Sequence, residues 1–165
     1  MKIENEMSGA RVGRRLFAAG ALAALLMPLV SHEREARADG TPRADVLVIH
    51  AATVPGAGSM DPKLANLRQL KNVPFNNYNS FKVLDSKQGL ALAKVGPTVG
   101  LPNGYIFSLS LSSVEGSTLH IVPSLSKTAT PRPLPEVSAK AGEPFFVAGQ
   151  SYQGGILIIA VTATP

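Results

Sequence analysis

The segment Tyr105 to Ser112 (YIFSLSLS) alternates without a break, Phe107, Leu109 and Leu111 taking turns with Ser108, Ser110 and Ser112. Only extended backbone sends successive side chains to opposite faces, so this spacing predicts a strand and disfavours a helix. One face is apolar and the other carries hydroxyls. Such a strand is half-buried and requires a second layer against its apolar side.

Other segments read the same way. Asp45 to Ala52 (DVLVIHAA) is a short apolar run of the length expected for a buried strand. Ser80 to Lys87 and Gly89 to Lys94 are two further candidates, followed by Thr118 to Val122, with Leu119 and Ile121 inward and His120 opposite them. Glu136 to Ala139, Pro144 to Ala148 and Ile156 to Ala163 complete the set. The last is rich in β-branched and aliphatic residues, which predicts a central position in its sheet.

Turn chemistry separates these runs. Leu101-Pro102-Asn103-Gly104 contains the Asn-Gly pair favoured in tight hairpins, since both residues tolerate positive φ. Val114 to Ser117, Lys140 to Pro144 and Gln150 to Gly155 are three more turns, and the proline-rich Thr128 to Pro135 reads as a crossover loop between strands. About eight short strands punctuated this way predict an all-β, antiparallel sandwich, Ig-like in general shape. One segment departs from it. Asp61 as N-cap, Pro62 in the first helical position and leucines at 64, 67 and 70 predict one short helix, Pro62 to Lys71, capping an end of the sandwich.

Residues 1–38 have the organisation of an export signal. Arg11, Arg14 and Arg15 precede the apolar run Leu16 to Val30, and Ala36-Arg37-Ala38 supplies a small–x–small cleavage site, so the mature chain is expected to begin at Asp39. As a helix that run spans only ~22 Å, short of the ~30 Å hydrocarbon core of a bilayer. No transmembrane span is therefore expected after cleavage. Arg14-Arg15-Leu16-Phe17 resembles the R-R-x-F core of twin-arginine signals, with an ordinary secretory signal as the alternative. Residues 39–165 are then one sandwich domain, exported to the periplasm or beyond.

The pieces DPKLANLRQL, PFNNYNSFKVL, LPNG and FFVAGQSYQGGILIIAV together resemble a family of uncharacterised exported bacterial β-rich proteins. The resemblance implies the fold. It carries no activity and no functional residues.

Chemistry is sparse. The chain has no cysteine, which excludes a disulfide framework, a thiolate-ligated zinc and a cysteine nucleophile. Gly149-Gln150-Ser151-Tyr152-Gln153-Gly154 is close to a nucleophile elbow, but its second glycine falls one residue late and no helix follows. Ser124-Leu125-Ser126-Lys127 matches S-x-x-K without the helix or the partner motifs that chemistry needs. His50 and His120 are the only histidines after residue 38, and a cross-sheet metal or hydrolytic site built on them, joined by Met60 or Asp61, is the enzymatic alternative. The acids sit beside turns and strand ends, and no calcium or phosphate loop is present. No cofactor is expected.

Charge is the stronger signal. Between Lys63 and Lys94, six basic residues face Asp85 alone, interleaved with Phe75, Tyr78 and Phe81, which stand next to Asn76, Asn77 and Asn79. Basic, amide and aromatic groups together suit an anionic glycan or envelope polymer, and Lys71, Tyr78, Lys82 and Lys87 are the candidate binding residues. No nucleic-acid motif appears. The expectation is a non-enzymatic binding or structural module of the cell envelope. A subunit pairing with another envelope protein through open sheet edges is a further reading.

Overall fold

The computed structural model describes residues 40–128 and 130–165. The export-signal reading of residues 1–38 lies outside them. Among the described residues, no helix is long and apolar enough to cross a membrane.

The chain forms an all-β sandwich of two four-stranded antiparallel sheets. The strands are β1 (Arg43–Ala52), β2 (Ser80–Ala91), β3 (Thr98–Gly100), β4 (Ile106–Glu115), β5 (Thr118–Ser126), β6 (Val137–Lys140), β7 (Pro144–Tyr152) and β8 (Gly155–Thr164). The first sheet runs β2-β1-β8-β7 and the second β3-β4-β5-β6. Every paired neighbour is antiparallel. The layered shape is that of an immunoglobulin sandwich, but the strand order is its own, since the second sheet is a plain meander.

The main core lies between the sheets. Val46, Val48, Leu157, Ile159 and Val161 from the first sheet meet Phe107, Leu109, Leu119, Ile121 and Leu125 from the second. A second core occupies the outer side of the first sheet, where Ile49, Ala51, Ile158 and Ala160 pack against Leu64, Leu70, Phe75 and Phe81. The first sheet is thus covered on both faces. That explains why β1 and β8 read as continuous apolar runs while β4 alternates.

The segment between β1 and β2 supplies that cover, and it departs from expectation. Instead of one helix capping an end, it forms two 3₁₀ turns, Pro62–Leu64 and Arg68–Lys71, laid over a sheet face. The Asp61 cap is present, its Oδ1 accepting from Lys63 N–H at 2.9 Å. Leu64 and Leu70 are fully buried from separate turns of three and four residues, the short lengths in which 3₁₀ geometry is used.

Three further differences concern strands and turns. Ser80 to Lys94 is not two strands: β2 runs through Gly89, whose φ of 63° and N–H to Asp45 Oδ1 bond (2.8 Å) absorb an irregularity in the ladder. β3 carries no legible period because it has three residues. The proline-rich segment does connect two strands, β5 and β6, but these are neighbours in one sheet, so it is a return and not a crossover. It turns back along β5, with Leu125 N–H donating to Arg132 O (3.1 Å) and Leu134 N–H to Pro123 O (2.8 Å). The prolines alternate with the residues that face β5, so their missing N–H groups cost no ladder bond.

Candidate functional site

That returning segment builds a cleft at one end of the sandwich. Ile106 pairs with Ser126, so one step further along the ladder Tyr105 stands opposite Lys127. The Lys127 ammonium lies 4.9 Å from the Tyr105 ring centroid, a cation–π contact of the exposed kind, about 0.5–1 kcal/mol. Tyr105 itself is held firmly. Its carbonyl accepts from Leu101 N–H at 2.7 Å, its N–H donates to Asn103 Oδ1 at 3.3 Å, and its ring packs on the main core.

Arg132, opposite Leu125, shares the inner face of β5 with Tyr105 and Lys127. The Ser126 and Thr128 hydroxyls, 3.0 Å apart, fix the bend where the chain leaves β5. From the other sheet comes Gln150. The cleft these residues line, floored by Leu125 and Leu134, measures about 440 Å³. That is within the ~300–1,000 Å³ of small-ligand sites.

Gln150 reaches the cleft through a β-bulge. Phe145 and Val147 face the main core, and strict alternation would continue with Gly149 and Ser151. The register instead shifts between Ala148 and Gln150, at Gly149 with φ 114°, so that Gln150 and Tyr152 face inward.

The cleft is cationic. Lys127 and Arg132 are its only charged lining residues, and the ion pairs among the described residues involve neither. The acids closest to being chemically useful are engaged elsewhere. Asp45 holds Gly89, Asp61 caps its turn, Asp85 pairs with Lys87 at 3.3 Å, and Glu115 and Glu136 flank His120.

The two histidines do not converge. His50 faces inward from the first sheet, its Nε2 donating to Tyr152 O at 3.1 Å and its ring meeting Tyr152 edge-on at 5.4 Å. His120 lies on the outer face of β5, between buried Leu119 and Ile121. There it is 3.4 Å from Glu136, 3.7 Å from Glu115 and 3.3 Å from Ser138 Oγ. Met60 packs into the second core. Among the described residues, no group of three or more His, Asp or Glu side chains is placed to hold a metal.

The four candidate binding residues also separate. Lys71 is exposed on the covering layer and Tyr78 packs beneath it against the second core. Lys82 and Lys87 stand opposite His50 and Val46, and cross-strand partners share a face, which places them on the inner side of the edge strand β2. Inward charges on a long edge oppose edge-to-edge pairing. Lys82 does belong to one row with the cleft: Gln150, Leu157, His50 and Lys82 are successive cross-strand neighbours.

The near-motifs resolve as local structure. Ser151 is the second-last residue of β7, which leads into a two-residue hairpin turn, Gln153-Gly154, with φ 43° and 75°. Ser124 lies on the extended β5, three residues before Lys127, an odd spacing that sends the two side chains to opposite faces.

No motif grouped Tyr105, Lys127, Arg132 and Gln150 along the chain, and the near-motifs that hold Lys127 and Gln150 point to other chemistry. The available signal was indirect: a basic residue at the end of one strand, an aromatic at the start of the preceding one, and an arginine framed by prolines. No family model matches the chain, and no curated protein or solved structure matches it significantly.

Proposed function

We propose that this chain is an exported module of the bacterial envelope that works by binding, and that it takes an anionic ligand, from an envelope polymer or glycan, in the cleft at the end of the sandwich. One observation carries the reading: Lys127 and Arg132 enter a single cleft, from opposite sides of the β5 turn-back, with no acid among its lining residues. Arg offers a rigid, bidentate fork for a carboxylate or phosphate, and Gln150 and Thr128 add hydrogen-bonding groups around it. Export is supported by the organisation of residues 1–38.

Calorimetry of residues 39–165 with acidic polysaccharide fragments in low salt tests this. Lys127→Ala and Arg132→Ala should each weaken binding about tenfold or more, the loss expected for a charged hydrogen bond. Lys71→Ala and Lys87→Ala, whose side chains lie elsewhere, should leave it unchanged. Affinity should fall as salt rises. An Arg132→Ala protein that binds as tightly as the parent overturns the assignment.

A further inference from the structure

We infer that the ligand is an acidic saccharide, and that Tyr105 is its stacking platform, occupied by Lys127 while the cleft is free. The inference rests on the anion-binding reading and adds the ligand's class. The Tyr105 side chain is partly buried against the main core and Lys127 lies over its ring at 4.9 Å. The contact is weak and the ammonium sits on a flexible stem, so an arriving anion draws it off the ring. The π-face this uncovers is electron-rich and flat. It suits the C–H face of a sugar ring, an apolar surface edged by hydroxyls.

The rest of the lining matches the edge of such a ring. Gln150 supplies both an acceptor and donors, the Ser126–Thr128 pair supplies hydroxyls, and Arg132 takes the planar carboxylate. A bare sulfate or phosphate would use the two cations and leave the tyrosine and the amide idle. A ring that carries its acid uses all of them together.

Three probes separate the possibilities: a galacturonic acid trimer, the corresponding neutral galactose trimer, and inorganic sulfate. Each is titrated by calorimetry, with the ring resonances of Tyr105 followed by NMR. The acidic trimer should bind at least tenfold more tightly than sulfate or the neutral trimer, and it alone should shift the Tyr105 ring signals strongly. Tyr105→Leu keeps the bulk on the core and should remove that advantage of the acidic trimer over sulfate. Tyr105→Phe should retain it, and thermal melts confirm that both variants fold. If the acidic trimer binds no better than sulfate, or if Tyr105→Leu binds it like the parent, the saccharide inference fails and the anion cleft stands. If no anion binds, both fail.

Discussion

Gln153 holds a positive φ of 43° in the first position of the β7–β8 turn, where the left-handed region costs most residues about 1–3 kcal/mol. Asparagine tolerates that region far better, so Gln153→Asn should raise the melting temperature by a few degrees without altering the cleft. A thermal melt that drops would show the turn to be held differently. In the main core, Phe107 is fully buried at the centre of the second sheet. Phe107→Ala should cost about 3–5 kcal/mol in a denaturant titration. At this scale the sequence was a good guide to burial, since Phe107, Leu109, Leu119 and Ile121 all sit inside as their alternation required. It was a poor guide to chemistry. Lys71 and Tyr78 were grouped with Lys82 and Lys87 because they are close along the chain, yet a strand edge and a covering loop carry them to different faces.

Two elements do work that no residue does alone. The bulge at Gly149 inserts one residue into β7 and so reverses which side chains enter the inter-sheet space. Deleting Gly149 should leave Gln150 opposite Leu157 and the protein folded, whereas Gly149→Val forces a branched side chain into φ 114° and should destabilise by about 1–3 kcal/mol or more. Comparing the two melts distinguishes a register device from a simple weak point. The covering segment between β1 and β2 is the other case. Its leucines were visible at three-residue spacing, but local pattern cannot distinguish a short helix from 3₁₀ turns, nor a sandwich end from a sheet face. Leu70→Ala should cost about 2–5 kcal/mol and open residues 53–79 to proteolysis before the strands are cut.

For the molecule as a whole, the pairing of β1 with β8 joins the two ends of the described chain at the centre of one sheet, with both cores resting on it. Removing residues 155–165 should therefore abolish folding, read as loss of the strand signal in circular dichroism. A truncated protein that keeps that spectrum would show the second sheet to be stable alone. The sequence by itself determined most of the strands, though neither β3 nor the unity of β2, because a period of two and a continuous aliphatic run each report how a strand is buried. It pointed to the sandwich for the same reason, since a half-apolar strand needs a second layer and the chain offers mostly strands to supply it. Tertiary structure decided the order of the strands, the double cover of the first sheet, and the meeting of Tyr105, Lys127, Arg132 and Gln150. Those depend on register and on a one-residue bulge, and contacts between residues tens of positions apart leave no period along the chain.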